Sequence, residues 1–377
     1  MKKKLLIIDP YINTWGGGEK YIGCMYNYLK DKYQITFVVP RGNTKDNIIE
    51  KYKERFQIEF NSNTKFKYFD TAFQIKDHKI KNYISIFRLI IYSKFFYVTI
   101  YLTNDIPLPM LSHINIYMVQ FPIKANTLIK KLLLYLQRIK RKRIYIANSD
   151  FTAGYIKDLY DIEPIIITPP IYFKENKIDI KELLKNKKNI ILSVGRFTKE
   201  GHNKKQITLI KTFKKMNDLY PYTKKWKLVL IGAVKKEDTS YLNTLKKLAE
   251  SYNIDIKQNM PIEEIIKFYK ISKIYWHATG YGIDEKKYPE KMEHFGMTTI
   301  ESMYFACIPI VINKGGQKEI INNNINGFMW DTEKELINKT LRIIKNYDIE
   351  VAINAQRDSN KYTIEEFNLK LNRLPIV

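Results

Sequence analysis

Cysteine and histidine are scarce in this chain of 377 residues, and no metal-binding pattern is evident. The two cysteines, Cys24 and Cys307, both lie in apolar surroundings, which argues against a disulfide framework and indicates a reducing compartment. The five histidines are too scattered for a credible ligand set, and no Asp-x-Asp sequence suits a divalent ion. We therefore expect no metal and no cofactor.

Long apolar runs are also lacking. No stretch reaches the roughly 18 uninterrupted apolar residues that a membrane-spanning helix needs. The best candidate, residues 84–103, is broken by Arg88 and Lys94. The apolar run after Lys4 has only four residues, too few for a signal peptide, and it predicts a first β-strand instead. We expect a cytoplasmic protein that does not span a membrane.

Acidic residues are few relative to basic ones, at 39 against 64, and the net charge is +25. Residues 106–149 contain eight basic side chains and no acid. Such a field attracts lipid headgroups, nucleic acid or phosphorylated substrates without choosing among them. Within it, residues 128–143 predict a basic amphipathic helix with Leu132, Leu133 and Leu136 on its apolar side. This helix is either an ordinary surface helix or a contact with anionic membrane.

The apolar residues that are present, 45% of the chain, suffice for two cores. In the second half, apolar strand patterns alternate with helical ones, which is typical of a doubly wound parallel sheet. The first half begins with a strand, a glycine-rich turn and a helix, although the layout of residues 43–96 is not resolved by pattern. We divide the chain into residues 1–170 and residues 171–355.

Residues 276–319 read as strand, loop, helix, strand, glycine-rich turn and helix, an order that suits ligand capture. Gly296 begins a helix, where the absent Cβ and the free amides favour an anion. Glu293 lies before that helix and Glu301 about a turn and a half inside it. Either carboxylate alone is more often an ordinary charge, but together they suit a ligand with sugar, phosphate and ribose in a row.

Basic residues and further glycines lie at other strand ends. Arg196 follows Gly195 at the end of a predicted strand, and Lys204 and Lys205 precede the next helix. Arginine offers a planar fork to phosphate and lysine a mobile charge, and the spacing does not decide between the two lysines. Near the start of the chain, the turn containing Gly17 and Gly18 resembles a phosphate cradle, but it does not match the dinucleotide fingerprint.

The Glu-His-Phe-Gly sequence at residues 293–296, continued to Glu301 and followed by the Gly-Gly turn at residues 315–316, resembles the Glu-x7-Glu donor site of family 4 retaining glycosyltransferases. The Glu-His-Phe-Gly form is also similar to the dolichol-pathway α-1,2-mannosyltransferases. This resemblance implies the α/β GT-B fold, in which two Rossmann-like domains face each other across a cleft. It further implies that a C-terminal segment, residues 356–377, crosses back to the first domain.

The resemblance also implies a function. A hexose would be transferred with retention from a nucleotide diphosphate sugar to a glycan or a lipid-linked saccharide. Glu293 would hold the sugar hydroxyls and Glu301 the ribose. Arg196 and one of the two lysines would stabilise the leaving diphosphate, so that no metal is needed. The implied donor-binding residues are Gly17, Gly18, Gly195, Glu293, His294, Phe295, Gly296, Met297, Thr298, Thr299 and Glu301.

Several alternatives remain open at this point. Related enzymes often have a histidine where this chain has Gln120, which can hold a hydroxyl but cannot accept a proton. A non-catalytic subunit that binds a sugar nucleotide is therefore the main alternative to a transferase. GDP-mannose is the first choice of donor, with UDP-glucose and UDP-N-acetylglucosamine open. No nucleic-acid partner is expected, because no such module is recognisable. The cytoplasmic membrane face is the expected location.

Overall fold

The computed structural model describes residues 2–12, 15–69, 80–137, 142–173 and 178–376. The chain divides into two units, one formed by Met1–Lys174 with Thr363–Val377 and the other by Glu175–Tyr362. The sequence pattern suggests divisions at residues 170 and 355. In the structure the helix Ile349–Ser359 lies wholly in the second unit, and the chain re-enters the first unit at Thr363.

Within the described residues, each unit contains one parallel sheet. In the first sheet the strand order is β3-β2-β1-β4-β5-β6-β7, and in the second it is β10-β9-β8-β11-β12-β13. The strands are β1 Lys4–Ile8, β2 Gln34–Pro40, β3 Lys65–Phe69, β4 Val98–Thr103, β5 Ile114–Val119, β6 Lys142–Ala147, β7 Ile165–Ile166, β8 Lys188–Val194, β9 Lys227–Gly232, β10 Ile254–Gln258, β11 Ser272–His277, β12 Ile308–Ile312 and β13 Phe328–Trp330.

Helices connect most of the strands and cover both faces of each sheet. Strands covered in this way are apolar on both sides, and every residue of β4, β5 and β12 is accordingly buried. The helices are α1 Gly17–Leu29, α2 Lys45–Phe56, α3 Ile80–Ser93, α4 Leu128–Leu136, α5 Asp150–Tyr160, α6 Ile180–Lys185, α7 Gln206–Leu219, α8 Thr239–Ala249, α9 Ile262–Ile271, α10 Met297–Tyr304, α11 Gln317–Ile320, α12 Glu333–Lys345, α13 Ile349–Ser359 and α14 Ile364–Asn372.

The strand order reverses once in each sheet, and this reversal creates a candidate ligand site in each unit. The reversal lies between β1 and β4 in the first unit and between β8 and β11 in the second. Connections leave these neighbouring strands in opposite directions, so a crevice opens beyond their carboxyl ends. The doubly wound parallel sheets predicted from the sequence are therefore confirmed.

The predicted helix over residues 128–143 is wrong in its second part. Helix α4 ends at Leu136, and residues 138–141 lie outside the described residues. Lys142 and Arg143 begin strand β6, where they pair with Ile114 and Asn115 of β5. The residues that follow them form a short continuous apolar run, which is typical of a buried parallel strand, and pairing with β5 extends that strand towards its amino end. The cationic cluster therefore does not form one continuous helix.

Helix α14 completes the core of the first unit. Its buried residues Phe367 and Leu371 belong to the cluster that packs beneath α1 and α2 on one face of the first sheet. The hydroxyl of Tyr33 donates a 2.6 Å hydrogen bond to the carbonyl of Ile376, and Tyr28 hydrogen-bonds Asn372. The last residues are thus part of the first unit.

Two further features concern membrane crossing and the cysteines. No helix within the described residues combines the length and the apolar character that a bilayer crossing would require. Cys24 and Cys307 are both buried and free, and they belong to different units. Burial raises the pKa of the Cys24 thiol to about 12, so this thiol is inert in the folded protein.

The packing of α14 predicts a large difference between two leucines of the same helix. Truncating the fully buried Leu371 to alanine should lower the free energy of unfolding of the first unit by about 2–5 kcal/mol, because it leaves a cavity. Leu369→Ala is the matched control, since that side chain is 54% exposed, and it should have little effect. Urea unfolding followed by circular dichroism measures both, and equal losses would contradict this packing of α14.

Candidate active site

The candidate site of the second unit lies at the carboxyl ends of its central strands. Lys204 lies in the loop between β8 and α7, two residues before the helix begins, His277 ends β11, and Glu293 lies in the loop before α10. Strands β8 and β11 are neighbours at the reversal of strand order. Lys204 and His277, which are 89 and 16 positions from Glu293 in the sequence, therefore contact it in the folded structure.

Glu293 is the centre of a tight polar cluster. Its Oε2 atom lies 2.5 Å from Nζ of Lys204, 2.8 Å from Nε2 of His277 and 3.4 Å from Oγ1 of Thr279. The side chains of Glu293 and Lys204 are only 13% and 17% exposed. An ion pair with this geometry and so little water around it fixes both side chains, whereas exposed pairs contribute little.

The protonation states of the cluster follow from its surroundings. Burial alone would raise the pKa of the Glu293 carboxyl, but Lys204 and the hydrogen bond from His277 hold that pKa well below its usual range. Burial lowers the pKa of His277 despite the neighbouring carboxylate. His277 is thus neutral and donates its Nε2 proton to an ionised Glu293.

Two further histidines line the same cluster. The rings of His202 and His294 lie 5.0 Å apart with their planes inclined by 35°. Burial, together with Lys204, lowers the pKa of His202 to about 3, and burial lowers that of His294 to about 4. Nε2 of His202 hydrogen-bonds the carbonyl of Met292, and Nε2 of His294 lies 3.2 Å from the carbonyl of Glu290. At neutral pH both rings are uncharged.

Gly296 begins α10 in a conformation that only glycine adopts easily, with φ of +124°. A Cβ at this position would lie 2.5 Å from Nε2 of Gln317, so the site also lacks space for a side chain. No side chain caps the amino end of α10. Its first amides are therefore available to an anion, as the sequence suggested.

The second glycine pair supports the loop that carries Glu293. The amide of Gly316 donates a 2.8 Å hydrogen bond to the carbonyl of Glu293. A Cβ on Gly316 would lie 2.7 Å from Cα of Phe295, so a larger residue would push the two loops apart. Phe295 itself is buried and packs edge-on against Tyr362. The turn at Gly315 and Gly316 thus fixes the backbone position of the Glu-His-Phe-Gly sequence.

Glu301 lies further along α10, and a buried tyrosine holds its carboxylate in place. The hydroxyl of the buried Tyr269 donates a 3.1 Å hydrogen bond to Oε2 of Glu301. One turn earlier, the hydroxyl of Tyr275 donates a 2.7 Å hydrogen bond to Oγ1 of Thr298. Burial raises the pKa of Tyr269, which keeps its phenol protonated as a donor. Two tyrosines thus fix polar side chains of α10.

The remaining predicted residues of this unit are Gly195, Arg196 and Lys205. A Cβ on Gly195 would lie 2.8 Å from Cγ of Lys204, so Gly195 makes room for that side chain. The guanidinium of Arg196 makes no hydrogen bond or ion pair with the part of the chain that the structure describes. Lys205 has φ of +58° and caps α7, and burial and the ammonium groups of Lys291 and Lys314 lower its pKa. Three lysines therefore concentrate positive charge beside the site.

Thr299 and Met297 complete the predicted set. Thr299 is fully buried and its amide donates a 3.0 Å hydrogen bond to the carbonyl of Gly296, while Met297 is half-buried at the first position of α10. The sequence pattern did not single out His202, Tyr269 or Thr279. A signal for Thr279 was present in the sequence, because this residue lies two positions after the end of a strand that leads into the site.

In the first unit, Gly17 begins α1, and Gly18 lies close to Gln120. A Cβ on Gly18 would be 3.8 Å from Oε1 of Gln120. Asp9 and Glu19, which the sequence pattern did not single out, are both buried at this end of the sheet. The amide of Gly16 donates a 2.7 Å hydrogen bond to Oε2 of Glu19. Burial, followed by the Glu19 carboxylate, raises the pKa of Asp9.

The chain matches one protein family over half of its length. Residues 174–363 fit the family described as glycosyl transferases group 1. A GDP-Man:Man(3)GlcNAc(2)-PP-Dol alpha-1,2-mannosyltransferase of Dictyostelium discoideum is 25% identical over 242 residues, which cover 60% of this chain and 45% of that protein. Alpha-1,3/1,6-mannosyltransferase ALG2 of Rhizomucor pusillus is 25% identical over 235 residues, covering 53% and 50%. The chain thus spans about half the length of these curated relatives.

Solved structures agree over nearly the whole chain. A glycosyltransferase from Rickettsia africae ESF-5 superposes with a TM-score of 0.71 at 18% identity, covering 98% of this chain and 97% of that one. Anabaena Alr3699/HepE in complex with UDP and glucose gives 0.69 at 14% identity, covering 98% of both chains. Such identities speak for the fold alone, which is GT-B, as expected. Because the family match extends from residue 174 to residue 363, the protein belongs to the glycosyl transferases group 1 family.

Proposed function

We propose that this protein is a hexosyltransferase that uses a nucleotide diphosphate sugar and retains the configuration at the anomeric carbon. The observation that carries the proposal is the cluster of Glu293, Lys204 and His277 beside the uncapped amino end of α10. A carboxylate that accepts hydrogen bonds from sugar hydroxyls, next to amides that favour an anion, suits an activated sugar. Family membership supports the same reaction.

In the proposed reaction the diphosphate leaves while positive charge develops on the anomeric carbon. Fixed cations and amides stabilise the departing charge without reorganising. Arg196 is suited to this task because its guanidinium has no partner among the described residues and can form a bidentate contact with phosphate. With the helix amides and lysines supplying positive charge, we propose that transfer proceeds in the presence of a metal chelator.

The two candidate lysines differ in their contacts, and we assign the phosphate role to Lys204. Its ammonium group lies inside the cluster, 2.5 Å from Glu293, and is held there beside the proposed position of the donor diphosphate. Lys205 holds the left-handed cap of α7, and its charge adds to the field of Lys291 and Lys314. The electrostatic field at the site is the sum of several charges. The loss of one lysine therefore weakens the field less than it weakens a direct contact with phosphate.

The donor and the acceptor are proposed by chemistry and by likeness. GDP-mannose is the first candidate because the two relatives named above are mannosyltransferases, one of them described with GDP-Man and a PP-Dol acceptor. UDP-glucose remains a rival, since one similar structure contains UDP and glucose. We propose a glycan or a lipid-linked saccharide as acceptor and the cytoplasmic membrane face as the place of reaction.

A donor panel tests the proposal. The purified chain is incubated with GDP-mannose, UDP-glucose or UDP-N-acetylglucosamine and with free or lipid-linked saccharides, with and without EDTA. Mass spectrometry identifies any product, and NMR of the new linkage reports its anomeric configuration. Donor binding without hydrolysis or transfer by any pair would instead support a non-catalytic sugar-nucleotide-binding subunit. An inverted product would contradict the proposed retention.

The assignment of Lys204 predicts a contrast between adjacent positions. Lys204→Met should lower kcat by about 100-fold to 1,000-fold, because the departing diphosphate loses a direct cationic contact. Lys205→Met should lower it by less than about tenfold, because it weakens only the surrounding field. Steady-state kinetics on both variants measures the contrast, and thermal melting checks that each is folded. A larger loss in the Lys205 variant would reverse the assignment.

Tyr269 is expected to act as a positioning residue for Glu301. Removing only its hydroxyl, in Tyr269→Phe, should weaken nucleotide binding by about 1 kcal/mol, or about fivefold in Kd, because Glu301 loses the donor behind it. In a Glu301→Gln background the same change should have a different effect, because the two side chains interact. Calorimetric titration of all four proteins with nucleoside diphosphate measures the coupling. Strictly additive effects would contradict a positioning role.

The neutral histidines of the site predict acid sensitivity. The pKa of His202 is about 3 in the folded protein against 6.5 in the unfolded chain, so the unfolded state binds more protons below pH 6.5. The free energy of unfolding of the second unit should therefore fall as the pH drops from 6.5 towards 4, by up to about 1.4 kcal/mol per pH unit for this histidine. Fluorescence of the buried Trp226, Trp276 and Trp330 follows this unit.

The matched variants are His202→Gln, which should flatten that slope, and His113→Gln in the first unit, which should not. Urea titrations at several pH values give the slopes directly. If the His202 variant keeps the wild-type slope, the acid sensitivity has another origin.

A further inference from the structure

Helix α3 presents an apolar stripe to solvent. Ile84 is 47% exposed, Phe87 64% and Ile91 42%, and Phe95, in the turn that follows the helix, is 67% exposed. These positions are three or four residues apart and therefore lie on one side of the helix. The opposite side, with Ile86 and Leu89, is buried against the first sheet. The exposed residues of this stripe therefore do not contribute to the packing of the core.

Helix α4 presents a second apolar stripe. Leu128 is 85% exposed, Leu132 56% and Tyr135 66%, whereas Leu133 and Leu134 pack against the core. No residue of α4 is fully buried. In an ordinary surface helix the leucines face the protein core, whereas Leu128 and Leu132 of α4 face solvent. Helix α4 therefore lies shallowly on the sheet, with apolar side chains in water.

Both helices belong to one surface. They pack on the same core cluster of the first unit, which lies on the sheet face opposite to α1. The loop between β4 and β5 ties them together. At one end, the amide of Leu111 donates a 2.7 Å hydrogen bond to Oγ of Ser93, the last residue of α3. At the other, Nε2 of Gln137, which caps α4, donates a 2.6 Å hydrogen bond to the carbonyl of Pro107.

We define the α3–α4 face as the exposed apolar side chains of these two helices together with the basic residues beside them. Its apolar members are Ile84, Phe87, Ile91, Phe95, Leu128, Ile129, Leu132 and Tyr135. Arg88, Lys94 and Lys131 are exposed beside them.

The charge of this region is almost entirely of one sign. Residues 80–137, which the structure describes without a gap, contain six lysines and arginines and a single acid, Asp105. That acid is already neutralised, because its carboxylate lies 3.2 Å from Nζ of Lys130 and both side chains are less than 15% exposed. The α3–α4 face therefore offers apolar groups and positive charge, and nothing on it repels an anionic surface.

We propose that the α3–α4 face docks on an anionic lipid bilayer. Phenyl and aliphatic side chains insert at the boundary between headgroups and acyl chains, while lysine and arginine meet the lipid phosphates. A second copy of this chain is a poorer occupant, because it would bring two acid-free, positively charged faces together. The sequence suggests membrane contact through residues 128–143 alone, whereas the structure assigns an equal part to α3.

Vesicle sedimentation tests this inference without any donor, so its outcome is independent of the proposed glycosyl transfer. The full chain is mixed with vesicles of phosphatidylcholine alone or with phosphatidylglycerol. Binding should require the anionic lipid and should weaken as salt is added. Phe87→Gln/Phe95→Gln should reduce the partition coefficient at least about tenfold, and so should Leu128→Gln/Leu132→Gln.

The controls change the same residue types elsewhere. Leu219→Gln/Leu369→Gln removes two leucines that are 58% and 54% exposed outside the face, and it should leave binding unchanged. Lys131→Glu should reduce binding about fivefold or more, and Lys215→Glu, on the exposed side of α7, much less. Thermal melting of each variant shows that the loss does not come from unfolding.

Three results would overturn the inference. Equal sedimentation with neutral and anionic vesicles would remove the role of charge. Loss of binding in the α4 variant with full binding in the α3 variant would reduce the surface to one helix. A concentration-dependent dimer in analytical ultracentrifugation that both double variants abolish would assign the face to self-association instead.

Discussion

A carboxylate buried inside a protein stays ionised only if cations or hydrogen-bond donors compensate for the lost water, and Glu293 meets this condition through two partners. Lys204 supplies the opposite charge and His277 a proton donor. Lys204 and Glu293 lie in two different loops and His277 ends strand β11, so the ion pair also fixes the positions of the two loops. The order of the second sheet makes this possible, because it brings β8 beside β11.

A similar compensation holds the far end of α10. Lys187 is buried, and its ammonium group donates hydrogen bonds to the carbonyls of Tyr269, Ser272 and Phe305, at 3.2, 2.7 and 2.6 Å. Burial lowers its pKa, and the carbonyls at the ends of α9 and α10 supply the partners that a buried cation needs. Helix α10 is therefore fixed at its start by glycine contacts and at its end by a lysine, which orients Glu301 between them.

The sequence predicts the features that depend on local periodicity and misses those that depend on distant contacts. Strands β5 and β12 can be predicted from the sequence because both are continuous apolar runs between turns. The helix start at Gly296 could be predicted because glycine is common at the position directly before a helix, and an apolar helical pattern follows it. The choice between Lys204 and Lys205 could not be made, because it depends on which side chain crosses to a loop 89 residues away.

Other misses have the same cause. The hydroxyl of Tyr269 meets Glu301 across 32 residues, and nothing in the neighbourhood of either residue indicates the pairing. Strand β3 was not predicted because it lies at the edge of the sheet, where only half-buried aromatic residues mark it in a lysine-rich segment. The end of α4 was missed because basic side chains suit an exposed helix and an exposed strand end equally well. Edge elements and polar pairings require tertiary contacts to be known.

Helix α14 affects the order in which the protein can be built. Because Thr363–Val377 belongs to the first unit, that unit is interrupted in the chain by the whole of the second. During synthesis the ribosome releases the second unit complete while the first still exposes the surface that Phe367 and Leu371 will cover. A fragment that stops at residue 174 would carry the same uncovered apolar groove, and aggregation of such a fragment would reflect a missing piece of its own core.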